Sequence, residues 1–258
     1  MGRCMDNNEA KIKRDKFSAV GNLLSKIDSA KELIKSAILA NEKPIIAFSG
    51  GKDSIVVMDI VRFVDPNIAC VFENTTNEYP ETLDFVKTIS NVITIHPKKT
   101  FMECIDEYGM PQQKIKSKSH GSYCCIWLKE KPAAEFYKTN AIDLVFTGLT
   151  MSESRNRMMM LKRMGVYYFY KKDKYYKCHP IWDWTEAEVW QYIDIKKLNY
   201  NKIYDIVDRT LDGRWTRCGC RFCTAYKSWE SVSNKYNPKD AQWMLKKLKE
   251  ENVNLIRG

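Results

Sequence analysis

No stretch of the 258 residues approaches the roughly 18–20 consecutive apolar side chains that cross a bilayer. The opening MGRCMDNNEAKIKRDK also lacks the apolar segment of a secretion signal. A cytoplasmic protein with no membrane partner is therefore expected. Glycine and proline are sparse, at 11 and 8 residues, while 44% of the chain is hydrophobic and 29% charged. That balance excludes collagen-like, linker-rich and disordered chains. Histidine is scarcer still: His96, His120 and His179 are all there is, none at a metal-binding spacing, and each reads as a loop or strand-end residue. Acidic residues are in deficit, 32 against 42 Lys and Arg, for a formal charge of +10. The excess favours polyanionic partners or phosphorylated substrates, although the abundance of Lys, Asn and Ile fits a lysine-rich genome equally well.

The length suits one large α/β domain, or one domain with an appendage. From about Glu9 to Asn41 apolar residues recur at helical spacing, which predicts one or two amphipathic helices. The segment from Pro44 through IIAFSGGKDSIVVMDIVRFV reads as strand, turn and helix. Cys70–Phe72, NVITIHP and AIDLVFTG read as further strands, with helices near Glu81–Ser90 and in LKEKPAAEFYK. This alternation predicts an α/β fold: a Rossmann-like parallel sheet with helices on both faces, an N-terminal helical segment and a Cys-rich α-helical C-terminal region. The expected divisions are 1–43, 44–170 and 171–258. Residues 98–118 read only as polar and basic. In HPIWDWTEAEVWQYI, Thr185 and Glu188 form a capping box, and SWESVSNKYN and DAQWMLKKLKEE predict two last helices.

The segment Ser49-Gly50-Gly51-Lys52-Asp53-Ser54 lies between strand and helix. Paired glycines admit a ligand close to the backbone, amides at a helix start cradle an anion, and two hydroxyls add donors. It lacks the longer loop of the Walker pattern. Nine cysteines in a cytosolic chain are not expected to be disulfides. Five fall in two tight groups, Cys124 with Cys125 and Cys218 with Cys220 and Cys223, as in a metal or redox site. The aromatic, basic stretch Tyr167–Lys177, with Arg155, Arg157, Lys162 and Arg163 upstream, suits either a nucleic-acid track or a β-hairpin with one aromatic face on the core. Trp182, Trp184 and Trp190 read as core. Glu73 and Glu78 suit either a Mg²⁺ site or a solvated loop.

SGGKDS resembles the PP-loop of the adenine nucleotide alpha-hydrolases, which cleave ATP between the alpha and beta phosphates. The chain is similar, within them, to the phosphoadenosine phosphosulfate reductase group, through EYPETLDFV, TGLTMSESRNR, HPIWDWTEAEVWQYI and GCRFC, over about Pro44 to Ala225. The resemblance implies that Ser49, Gly50, Gly51, Lys52, Asp53 and Ser54 bind nucleotide phosphates, with Lys52 and Asp53 catalytic. Thr147, Gly148, Glu153, Ser154 and Arg157 match a second binding segment. Thr150 departs from the pattern, standing where many relatives carry Arg. Cys124, Cys125, Cys220 and Cys223 resemble the four ligands of a [4Fe-4S] cluster in adenylylsulfate reductases. Zinc could use the same ligands, and Cys218 is an extra candidate. Lys129, Arg217 and Arg221 would offset thiolate charge.

The reductases of this group use a nucleophilic cysteine in a C-terminal Glu-Cys-Gly motif, and no cysteine follows Cys223 here. Relatives that keep the loop and cluster without it include ATP-pyrophosphatase components of DNA phosphorothioation systems. The expected activity is accordingly an ATP pyrophosphatase that adenylylates an acceptor, a nucleic acid, for sulfur incorporation. It would use ATP, Mg²⁺ and a [4Fe-4S] cluster, with a sulfur-donor protein such as a cysteine desulfurase as partner and a homodimer left open. The alternatives are a reductase of adenylylsulfate or phosphoadenylylsulfate that releases sulfite, and a non-catalytic nucleotide- or nucleic-acid-binding subunit.

Overall fold

The computed structural model describes residues 7–111, 123–206, 219–226 and 228–257. Cys218, Arg217 and His120 lie outside them. The elements run α1 (Asn7–Leu39), β1 (Pro44–Ala47), α2 (Lys52–Val64), β2 (Cys70–Glu73), α3 (Pro80–Lys87), β3 (Val92–Ile95) and α4 (Phe101–Tyr108). A short turn α5 (Tyr123–Cys125) passes through a π-helical stretch, Ile126–Glu130, into α6 (Lys131–Thr139). Then come β4 (Leu144–Phe146), α7 (Arg155–Met164), β5 (Tyr167–Tyr170), β6 (Tyr175–Cys178), α8 (Glu186–Lys196), α9 (Ile203–Ile206), α10 (Trp229–Tyr236) and α11 (Pro238–Arg257). One helix, not two, spans the N-terminal segment.

The six strands lie in the order β3-β2-β1-β4-β6-β5, parallel except for β5, which pairs antiparallel with β6. The central strands are short and covered on both faces, which is why they read as unbroken apolar runs rather than as alternation. Ile46, Phe48, Phe72, Leu144 and Phe146 pack under α1, α2 and α8, the main core. Ile45, Val71, Val145 and Tyr175 face the other way, with Tyr137 of α6. The chain passes from β1 to β2 on one side and returns after β3 to β4 on the other. The crevice between the carboxyl ends of β1 and β4 is thus a topological switch point, where open α/β sheets bind ligands.

The aromatic stretch forms the β5–β6 hairpin, and β6 inserts between β4 and β5, so the sheet continues past Tyr170 to Cys178. Tyr175 is buried edge-on to Tyr137, with ring centroids 5.2 Å apart, while Phe169 stays exposed. Trp184 is fully buried, as a core residue should be.

Helix α8 starts at the expected capping box, with the Glu188 N–H donating to Thr185 Oγ1 at 3.3 Å and the Thr185 N–H donating to Glu188 Oε2 at 2.7 Å. Lys26 of α1 donates to the same carboxylate at 2.9 Å and so ties α1 to α8. Removing the hydroxyl orphans a helix-start amide. Thr185→Ala is expected to cost about 1 kcal/mol, a fall of about 2–4 °C in the thermal denaturation midpoint for a domain of this size. Thr185→Ser should keep most of it, and an unchanged midpoint in the alanine variant would remove this role.

Candidate active site

The loop after β1 places its residues at the switch point. Gly50 takes φ +70°, a left-handed conformation that favours glycine. Ser49 Oγ donates to Ser54 Oγ at 3.3 Å, and Ser54 Oγ donates to the Gly51 carbonyl at 2.8 Å. Helix α2 begins after Gly51, which has no side chain to cap it; the Gly51 N–H donates to Ser49 Oγ at 3.4 Å, and the first turn carries the positive dipole end of the helix. Lys52 is buried, and its ammonium donates to Asp53 Oδ2 at 2.9 Å.

The second segment follows β4, the neighbouring strand, and is packed directly on the first. A Cβ at Gly148 would stand 2.8 Å from the Asp53 carbonyl carbon and 2.9 Å from its oxygen. Only glycine lets β4 run this close to the start of α2. Thr147, just before it, has Oγ1 2.7 Å from His179 Nδ1. The other residues of the segment pair locally. Ser154 caps α7, accepting from the Arg157 N–H at 3.2 Å, and the Arg157 guanidinium pairs with Glu153. Thr150, the departure from the family pattern, is buried, with its hydroxyl 3.0 Å from Ser152 Oγ.

Two residues that no motif singled out hold the loop from a distance. The Lys52 N–H donates to the Tyr204 hydroxyl at 3.0 Å, and Asn201 Nδ2 donates to Thr82 Oγ1 at 2.8 Å and to the Gly50 carbonyl at 3.5 Å. Asn201 also accepts from the Ile203 N–H at 3.1 Å, so it organises its own turn while bracing the loop. An Asn-x-x-Tyr spacing is the only sequence trace of this brace.

Cys124, Cys125, Cys220 and Cys223 are half-buried and not joined in disulfides. They stand together. The contact with Cys125, burial and the charges of Cys223 and Cys220 all push the Cys124 thiol up. Burial, then Cys220, pushes Cys223 up to about 12. The Cys223 N–H donates to the Cys220 carbonyl at 3.3 Å, a turn that brings the last pair to one side. Lys129, on the π-helical stretch, is held charged first by Cys220 and then by Glu78, Cys125 and Glu73. Arg221 does not serve the thiolates as expected. Its guanidinium grips Asp240 of α11 in a two-pronged pair, at 2.6 Å and 3.0 Å, and fastens the cysteine loop to that helix.

Four thiols beside a half-buried lysine are a donor set for an iron-sulfur cluster or zinc. Among the described residues, no group of three or more His, Cys, Asp or Glu side chains is arranged to hold a single metal ion. On the α6 side of the sheet lies a cavity of about 740 Å³, whose lining includes Glu73, Lys129, Ala47, Val145 and Thr147. Burial raises Glu73 to about 7, against the pull of Lys129. Its partner in the expected acidic pair, Glu78, accepts instead from Thr75 Oγ1 at 2.5 Å. Among the described residues no helix is long and apolar enough to cross a membrane.

Residues 43–226 match the phosphoadenosine phosphosulfate reductase domain. The chain belongs to the phosphoadenosine phosphosulfate reductase family. Within the curated proteins it is 28% identical to an adenosine 5'-phosphosulfate reductase of Staphylococcus epidermidis over 76% of each chain. It is 29% identical to an uncharacterized protein of Methanocaldococcus jannaschii over 80% of its own length, yet spans 45% of that relative. A second uncharacterized protein of that organism is likewise matched over only 50% of its length. Two solved structures share the family fold. The phosphoadenylyl-sulfate reductase of Candida auris, in a phosphate complex, has TM-score 0.54 and 21% identity over 69% of this chain and 84% of that one. The U34-tRNA thiolase NcsA of Methanococcus maripaludis, with its [4Fe-4S] cluster, has TM-score 0.51 and 16% identity over 86% of this chain and 78% of that one. Members of the family are nucleotide-using enzymes of sulfur chemistry.

Proposed function

We propose that this chain is a PP-loop ATP pyrophosphatase that splits ATP into AMP and pyrophosphate, adenylylating a nucleic-acid acceptor so that sulfur can replace an oxygen. The observation that carries the reading is the start of α2 at the switch point, where the Lys52–Asp53 pair sits behind two loop glycines and directly against Gly148 of the second binding segment. In this reading the leaving pyrophosphate sits on the loop amides and hydroxyls, where preorganised donors meet developing charge. Lys52 stabilises that charge, and Asp53 orients the loop or a water on the Mg²⁺ that accompanies the nucleotide. The adenosine lies over Ala47 and Val145 in the cavity. Cys124, Cys125, Cys220 and Cys223 would hold a [4Fe-4S] cluster, which supplies a place to bind sulfur. The fold shared with a cluster-bearing tRNA thiolase supports it.

The second reading, a sulfonucleotide reductase, is favoured by the likeness to the Staphylococcus epidermidis enzyme. The test is chemical. Protein purified without oxygen is assayed for pyrophosphate release from Mg-ATP, with and without DNA or tRNA, and for sulfite from adenylylsulfate or phosphoadenylylsulfate with thioredoxin. Pyrophosphate release is the expected result. Sulfite without pyrophosphate transfers the chain to the reductases, and nucleotide binding with neither product makes it a binding subunit.

A further inference from the structure

Strands β4 and β6 run side by side with Phe146 opposite Cys178, so the next residues, Thr147 and His179, are neighbours at the carboxyl edge of the sheet. The Thr147 N–H donates to the Cys178 carbonyl at 3.0 Å, and Thr147 Oγ1 lies 2.7 Å from His179 Nδ1. That bond contains one proton, and which residue supplies it decides what Thr147 shows to the cavity.

His179 is 1% exposed, and its Nε2 is buried with no hydrogen-bond partner among the described residues. Burial, helped by the charges of Lys177 and Arg157, lowers its pKa to about 4. The ring is therefore neutral and carries a single N–H. With the proton on Nε2, a buried N–H would have no acceptor among the described residues. With the proton on Nδ1, Nε2 presents only a lone pair. Orphaned buried donors are the rarer and costlier outcome. The Nδ1–H tautomer therefore prevails. In it the imidazole donates to Thr147 Oγ1, and the hydroxyl proton of Thr147 must turn elsewhere. Thr147 is half-buried and lines the cavity on this side of the sheet, which leaves that proton free to meet a ligand there.

We propose that His179 is a positioning residue that fixes Thr147 as a hydrogen-bond donor into the cavity, where it binds an anionic phosphate oxygen of the nucleotide. The inference rests on the nucleotide reading of the same site. In the opposite tautomer Thr147 would spend its proton on the imidazole and offer only lone pairs, which repel an anion. A buried histidine with no ligand contact of its own thus sets whether this edge of the site attracts phosphate.

The tautomer is read by long-range ¹H–¹⁵N correlation on protein labelled in its imidazole nitrogens. The His179 signals are assigned by their loss in His179→Asn. A proton on Nδ1 is expected, and a proton on Nε2 overturns the proposal. Binding of Mg-ATP is then measured by calorimetry. Thr147→Val and His179→Leu should each weaken it about tenfold, the scale of a hydrogen bond to a charged group. Thr147→Ser and His179→Asn, which keep the hydroxyl and an N–H near Nδ1, should stay within about threefold. The double variant Thr147→Val/His179→Leu should bind no more weakly than either single one, because both remove the same contact. Unchanged binding in Thr147→Val overturns the proposal while the nucleotide reading stands. Equal losses in His179→Asn and His179→Leu reduce His179 to packing and also overturn it. A wild-type chain that binds no adenine nucleotide removes the reading and the proposal together.

Discussion

Asp53→Asn is expected to slow pyrophosphate release from Mg-ATP by at least ~100-fold, the scale of losing one preorganised electrostatic contact, while nucleotide affinity stays the same or rises. The two effects separate because Asp53 puts a negative charge at the mouth of a phosphate cradle. In the ground state that charge opposes the ligand, and binding should gain from its loss. Its contribution must therefore be made in the transition state, through the bound metal or through the shape of the loop. Asparagine is the informative replacement. The Lys52–Asp53 pair has side chains only 7% and 19% exposed, and alanine would leave a buried ammonium stranded, a loss that confuses stability with catalysis. The amide keeps an oxygen for Lys52 and does not disturb the contact that Gly148 makes with the Asp53 backbone. Parallel losses of affinity and rate would reassign Asp53 to holding the loop, and a wild-type rate would remove it from the chemistry.

The strand-loop-helix at Ser49–Ser54 was legible because every layer of the signal agreed there: a buried strand reads as an apolar run, the glycines mark a special backbone, and IVVMDIVRFV has helical period. The capping box at Thr185 was legible for the same reason. The same signature opens α4 at Thr100 and Glu103, yet residues 98–118 read only as polar and basic, because the surrounding lysines and Pro97 outweighed one cap. Other features leave no local trace. Tyr204 reaches the Lys52 amide across 152 residues, and neither end of that contact carries a pattern. The insertion of β6 between β4 and β5 is a matter of register, set by which edge was open. The sequence reads His179 only as a loop or strand-end residue; its burial and its bond to Thr147 follow from that register and from nothing near it in the chain.

Cys220→Ser and Cys223→Ser are expected to abolish iron and acid-labile sulfide in protein reconstituted without oxygen, while Mg-ATP binding survives. Without a metal group these thiols oppose one another. The contact with Cys125 and then burial raise Cys124, burial and then Cys220 raise Cys223, and burial raises Cys220 against the pull of Lys129, so one lysine does not offset four thiolates. A positive body shared by all four turns that repulsion into ligation, and removal of one thiolate exposes a corner of it. Zinc and a cluster would use the same four thiolates and differ in what they bring: zinc arrives alone, a cluster with iron and sulfide. Iron and sulfide in equal amounts from the wild-type chain, lost in both serine variants, are the expected result. Zinc without sulfide would make this a structural zinc site, and no metal in the wild type would leave the cysteines as buried packing. The nucleotide loop shares no residue with this site. Retained Mg-ATP binding in the serine variants is therefore the control that separates loss of the cluster from loss of the fold.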